Sequence, residues 1–105
     1  GGFPKGITMY AVITTVEVEP GSIDRLAELF DTTNPDLVAA HDDWEAAYFT
    51  VNRDTNVLTV IAHWREAASY EVLRSSVEFQ STMAKFAESF VGPPRVSVNE
   101  VLIEM

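Results

Sequence analysis

The fold is decided by residues 57–70, which read Val57-Leu58-Thr59-Val60-Ile61-Ala62-His63-Trp64-Arg65-Glu66-Ala67-Ala68-Ser69-Tyr70. The apolar, β-branched first half predicts a strand, and the second half has the pattern of a helix start. Side chains alternate along a strand, so the even-numbered residues 58–64 share one face and the odd-numbered residues 57–63 share the other. Neither face is polar throughout, so we expect both to be covered, one by helices and one by a second copy of the protein.

Composition excludes several classes of function. The 105 residues form one domain with an ordinary share of hydrophobic residues, 47%. No cysteine is present, which excludes disulfides, thiolate nucleophiles, iron–sulfur clusters and thiolate zinc sites. The net charge of −9 argues against nucleic acid and against anionic membranes as partners. No apolar run reaches the roughly 18 residues of a transmembrane helix, and a cytoplasmic location is the default expectation.

The N-terminal residues 1–8 are interpreted as an extension before the domain, which we expect to span residues 9–105. Gly1 to Gly6 lack the apolar segment of a signal peptide. One interpretation of the two leading glycines is a remnant of cloning, with Met9 as the natural start.

Four strands and several helices are predicted in order. The strands are expected at residues 8–19, 44–53, 57–64 and 95–105, with residues 54–56 as a hairpin turn between the second and third. Helices are expected at residues 66–73 and 77–90, separated at Ser75-Ser76 and ended by Val91-Gly92-Pro93-Pro94. The order β-α-β-β-α-β is that of an α+β, ferredoxin-like domain whose four-stranded antiparallel sheet carries its helices on one face.

The first helix is predicted in two pieces. Ser22 is expected to cap it, with apolar residues recurring from Ile23 to Phe30, and it should stop near Thr32-Thr33. Asn34 would then cap a short second piece with Pro35 at its first position. His41-Asp42-Asp43 superficially suggests metal ligands, but a turn explains these residues better, and no metal site is predicted.

The open face of the sheet should carry an apolar patch. By the expected registers this patch consists of Ile13, Ala47, Phe49, Val51, Val57, Ile61, Val101 and Ile103. Left in water, it would be a liability, so we expect two sheets to pack face to face in a homodimer. Trp44 and Tyr48 are expected to share the helix-covered face of the second strand, whereas His63 should point toward the dimer.

The segments His63-Trp64-Arg65, Glu66-Ala67-Ala68-Ser69-Tyr70 and Ser76-Val77-Glu78-Phe79 resemble the antibiotic biosynthesis monooxygenase-like superfamily. The resemblance runs over nearly the whole chain from Met9 and includes Pro20-Gly21 and Gly92-Pro93-Pro94-Arg95. It implies a dimeric α+β barrel. Its closest functional comparison is to cofactor-free monooxygenases that oxidise polycyclic phenols to quinones.

The resemblance implies catalytic roles for Trp64 and Tyr70, which fall on pocket positions of those enzymes. Val60 stands where they have an asparagine, and Ser81 is near the position of an arginine. Thr14, Leu73 and Met83 fall on the positions that haem-degrading relatives use, and without a histidine at 83 we expect no haem and no other cofactor. The expected substrate-binding residues are Thr14, Val60, Leu73, Met83 and Phe86, around a hydrophobic aromatic small molecule.

Three functions stay open at this point. Tyr70 O–H and Trp64 N–H are candidate donors for an oxygenase that acts on an aromatic or polyketide-like phenol, or they are plain core residues. A non-enzymatic dimer that binds an apolar small molecule would suit Val60. An isomerase or cyclase would require His63 or His41 to reach the cavity as a base.

Overall fold

The computed structural model describes residues 9–105 and confirms the predicted architecture. The elements are β1 (Met9–Glu17), α1 (Ile23–Val38), β2 (Trp44–Asn52), β3 (Val57–Trp64), α2 (Ala67–Arg74), α3 (Val77–Ala87) and β4 (Arg95–Val101). All strand pairs are antiparallel, in the order β2-β3-β1-β4. The predicted extension, residues 1–8, and Thr8 at the expected start of β1 lie outside the described residues. Within residues 9–105 no helix is both long and apolar enough to span a bilayer.

The core between sheet and helices has two parts. We call the first the Leu58 cluster, whose buried members are Val16, Val18, Ile23, Leu26, Leu58 and Phe86. The second, the Trp64 cluster, consists of Val12, Val38, Trp64, Tyr70 and Leu73. The strands β1 and β3 and the helix α1 each contribute to both clusters, so the two parts lie at different levels along the same elements.

The helix α1 is continuous, and the predicted break at Asn34-Pro35 is wrong. Proline in a helix interior costs roughly 3 kcal/mol relative to alanine, so packing must compensate. It does so because Phe30, Leu37 and Val38 continue one core-facing stripe across the proline. Asn34 is therefore a helix-interior residue and not a cap. Ser22 makes no capping bond either, since its hydroxyl donates to the Glu19 carbonyl at 2.7 Å.

A β-bulge at Glu45 changes the faces of β2. Trp44 lies opposite Trp64, but Ala46 lies opposite His63, so Glu45 is an extra residue. Beyond the bulge, the residues that we expected on the open face, Ala47, Phe49 and Val51, lie on the helix-covered face, because Phe49 and Val51 pack on the Leu58 cluster and Ala47 lines the cavity described below. Tyr48 lies on the open face, where its ring centroid is 5.8 Å from that of His63. The expectation that Trp44 and Tyr48 share a face is therefore wrong.

Several element ends differ from the predicted ones. The strand β1 stops at Glu17, and Val18 makes an isolated bridge with Phe90. The helix α3 begins after Ser76, whose hydroxyl accepts from the Phe79 N–H, and ends at Ala87 instead of Phe90. The strand β4 ends at Val101, so Ile103, which was expected on the open face, lies beyond the sheet and is exposed.

Candidate functional site

A cavity of about 120 Å³ lies between the two clusters, enclosed by the sheet on one side and the helices on the other. All seven residues that the sequence nominated line it: Thr14, Val60, Trp64, Tyr70, Leu73, Met83 and Phe86. A cavity of roughly 150 Å³ holds one benzene molecule. The space therefore matches a single aromatic ring.

Five elements line the cavity with small or polar side chains. On β1, Thr14 lies between Val12 of the Trp64 cluster and Val16 of the Leu58 cluster. The same happens on β3, where Val60 lies between Leu58 and Ala62. We call these residues the belt; its members are Thr14, Thr33, Asn34, Ala47, Val60 and Thr82. None of them belongs to either cluster, so the belt is the gap in the core.

Trp64 forms one end of the cavity and carries an unsatisfied donor. The residue is 1% exposed, and its indole Nε1 is the one buried side-chain nitrogen or oxygen without a hydrogen-bond partner among the described residues. Its ring packs edge-on against those of His41 and Tyr70, with ring centroids 5.5 Å and 6.3 Å apart. A buried N–H without a partner costs about 1–3 kcal/mol.

The turn beneath Trp64 is held by Arg65. Its Nε lies 2.7 Å from Glu45 Oε1, and its backbone N–H donates to the Asp43 carbonyl at 2.9 Å. A guanidinium N–H also donates to the Asp42 carbonyl. Because Glu45 is the bulged residue, the bulge and the ion pair together fix the turn that places His41 against Trp64.

Tyr70 reaches the same end of the cavity from α2. Burial is the main cause that raises the pKa of its hydroxyl above 10.0; Glu71 raises it further, and Arg74 opposes both. The hydroxyl is therefore neutral at physiological pH and can donate a hydrogen bond.

The opposite end of the cavity is aromatic and entirely apolar. The rings of Phe30 and Phe49 are 4.9 Å apart, and Phe49 lies 6.5 Å from Phe86. Met83 of α3 packs against this group and supplies a flexible wall. The cavity thus has a donor-bearing end and an end without polar side-chain atoms.

Sequence reasoning missed the polar part of the belt. Thr33 and Asn34 were interpreted as a helix break, yet Phe30, Thr33, Asn34, Leu37 and Val38 follow the i, i+3, i+4, i+7, i+8 spacing of one helix face. On α3 the sequence comparison singled out Ser81, but Ser81 is exposed and Thr82 lines the cavity. The spacing Phe79, Thr82, Met83, Phe86 would have shown this.

The cavity has no candidate base. Its lining, drawn from the part of the chain that the structure describes, contains no aspartate, glutamate, lysine, arginine or histidine. His41 packs on Trp64 from outside the lining, and His63 lies on the open face of the sheet. No three potential metal ligands of the histidine, cysteine or carboxylate type come together within residues 9–105.

The fold and the cavity together define a small α+β domain that encloses a ring-sized apolar site between its sheet and its helices. Residues 9–85 match the family model of the antibiotic biosynthesis monooxygenases, and the chain belongs to that family. No curated protein sequence matches this chain significantly.

Solved structures show the same fold at low sequence identity. A candidate antibiotic biosynthesis monooxygenase of Bordetella bronchiseptica superposes with a TM-score of 0.79 at 19% identity, over 91% of this chain and 99% of that one. A further candidate, from Caulobacter crescentus, gives 0.78 at 14% identity over 91% and 92% of the two chains. The Rv0793 protein of Mycobacterium tuberculosis gives 0.74 at 22% identity over 91% and 97%.

Proposed function

We propose that this protein is a cofactor-independent monooxygenase that oxidises an electron-rich phenol to a quinone with O₂. The observation that carries the proposal is the buried, unpartnered indole N–H of Trp64, a residue that lines a cavity of one-ring size. Together with the neutral Tyr70 hydroxyl it offers two donors to a phenolic oxygen. Donors held in a dry site stabilise negative charge more strongly than water-exposed ones do.

The reaction balances without a cofactor. The ring C–H opposite the phenolic hydroxyl becomes a carbonyl, and the hydroxyl becomes the second carbonyl of the quinone. One atom of O₂ enters the ring, and the other leaves as water with the two hydrogens. The substrate supplies all four electrons. The roles of the protein are to orient the ring, exclude water and stabilise the phenolate that transfers the first electron.

The absence of a base among the lining residues makes the substrate supply its own anion. We therefore expect the rate to rise with pH along the titration curve of the substrate phenol. Two phenols with different pKa values should shift the profile by the difference between those values. A profile that stays fixed when the phenol is changed would assign the titration to a protein group and contradict this step.

The test is oxygen uptake by purified, metal-stripped protein with electron-rich single-ring phenols that carry a free C–H opposite the hydroxyl, and with an anthrone-type phenol as the larger comparison. Uptake with quinone formation is expected for the wild type, and Tyr70→Phe should lower it by about tenfold or more, since loss of one such donor costs up to 10²–10³-fold. Lys85→Ala on the exposed side of α3 is the matched control and should keep wild-type turnover. Uptake no faster than the spontaneous rate would contradict the monooxygenase.

The same absence of a base favours a second candidate, a non-enzymatic protein that binds an aromatic molecule. It would show ligand binding without oxygen uptake. An isomerase or cyclase is not supported, because neither histidine lines the cavity.

The proposed assembly is a homodimer through the open face of the sheet. Ile13 pairs with Ile61 at the centre of that face, and Tyr48 is 53% exposed beside His63. The helices of residues 9–105 lie on the other face, and a second copy of the chain would cover these apolar residues. Analytical ultracentrifugation should give twice the chain mass of 11.6 kDa, and a monomer at micromolar concentration would contradict the dimer.

A further inference from the structure

We infer that Asn34 is the residue that selects an oxygen-bearing ring over a purely apolar one, by hydrogen bonding from the helix wall of the cavity. The inference rests on the proposed function in that it assumes an aromatic ligand, but it does not require turnover. The position of Asn34 in the lining of the cavity, which the sheet residues Thr14 and Val60 share, carries it.

The carboxamide of Asn34 has no hydrogen-bond partner among the described residues. The residue lies on the core-facing stripe of α1. Its neighbour Thr33 differs, because the Thr33 hydroxyl donates to the Leu29 carbonyl at 2.7 Å. Asn34 therefore lines the cavity with two N–H donors and one acceptor that bond no described residue, whereas the donor of Thr33 is already used.

The local sequence is unfavourable for a helix, and the packing that compensates comes from Phe30, Leu37 and Val38, not from the Asn34 side chain. Asparagine is a poor helix former, and a residue before proline is disfavoured in helical conformation. Asn34 has both disadvantages in the middle of a 16-residue helix. Such local conflicts concentrate at functional sites. A contact with a ligand would give that side chain a stabilising interaction of its own.

Two other belt residues add hydroxyl groups to the lining of the cavity. Thr14 on the sheet and Thr82 on α3 line the cavity, and neither hydroxyl has a hydrogen bond among the described residues. With the indole N–H of Trp64 at one end, the cavity offers polar groups at its middle and at one end only. A ring with oxygen substituents suits this lining, with one oxygen directed to Asn34.

The experiment compares hydroquinone with p-xylene, which replaces both hydroxyls by methyl groups of similar size. Binding is measured by calorimetry without oxygen, so that no turnover occurs. Asn34→Leu should weaken hydroquinone binding about threefold to tenfold, the usual effect of one hydrogen bond, and should leave p-xylene binding equal or tighter. Asp36→Leu places the same leucine on the exposed side of α1 and should change neither affinity.

Folding of Asn34→Leu is checked by thermal unfolding, and a higher Tm is expected because an unpartnered amide is removed. Thr82→Val, which is nearly isosteric, should also weaken hydroquinone selectively and serves as the second variant. Unchanged hydroquinone binding in Asn34→Leu, or an equal loss for both ligands, overturns the inference. Wild-type protein that binds neither ligand overturns the inference and the proposed function together, whereas selective binding without oxygen uptake overturns only the monooxygenase.

Discussion

The two clusters of the core contain similar numbers of buried residues but differ in their polar groups. The Leu58 cluster consists of aliphatic and phenyl side chains, and Leu26, Leu58 and Val18 in it are essentially inaccessible. The Trp64 cluster is as well buried, but it includes an indole N–H without a partner and a phenol whose pKa is raised by burial. The first half can be explained by packing alone. The Trp64 cluster buries polar groups at a cost in stability that packing does not explain. For this reason we propose that the reaction takes place beside it.

The largest expected effect is on the Leu58 cluster. Leu26 is 0% exposed and does not line the cavity, so Leu26→Ala should lower the free energy of unfolding by about 4 kcal/mol. Leu73→Ala in the Trp64 cluster should cost only about 2 kcal/mol, because one side of Leu73 borders existing empty space. Urea unfolding with unchanged m-values checks both. Equal losses would remove the distinction between the halves.

Trp64→Phe should lower turnover strongly and stability only slightly. It removes the unpartnered N–H along with part of the ring, so we expect a loss of only about 1 kcal/mol in stability. Quinone formation should fall about 100-fold, in the range for a donor to a developing anion. The folded fraction of Leu26→Ala, measured in the same assay, should keep wild-type turnover. If both variants lose turnover in proportion to stability, Trp64 is a core residue only.

The smallest effect is a pH dependence from Tyr70. Its folded pKa lies above the unfolded value of 10.0, so above pH 10 the unfolded chain loses a proton that the folded chain keeps. Stability from this group is therefore present below pH 10 and declines as pH rises beyond it. Thermal unfolding between pH 9 and 11 should show a steeper decline for the wild type than for Tyr70→Phe. Parallel curves would mean that the hydroxyl is not desolvated.

The element order and the cavity walls were predictable because they follow from periodicity. Residues 57–64 form β3 as expected, and the stripe from Phe79 to Phe86 packs toward the cavity. The predicted ligand-contacting residues fall on one cavity because strand alternation and the family resemblance agree for Thr14, Val60 and Trp64. These features depend on local patterns that a single sequence displays.

The polar belt and the faces of β2 were not predictable, because tertiary packing decides them. Asn34-Pro35 is a break signal by local rules, and only the continued packing of Leu37 and Val38 keeps the helix intact. Glu45 has no glycine or proline beside it to mark a bulge. Its role emerges only with the partner strand and Arg65 in place.

The bulge also affects how this chain can be compared with its relatives. A relative without the extra residue must be aligned with a one-residue gap at Glu45; without that gap, each later position of β2 is compared with a neighbour from the opposite side of the sheet. Phe49 would then be matched to a position on the open face and Tyr48 to a cavity position. In the gene, loss of the single Glu45 codon would leave Trp44 opposite Trp64 and Ala46 opposite His63, so the later residues of β2 would keep their faces. The strand would lose its bulge and the carboxylate that pairs with Arg65.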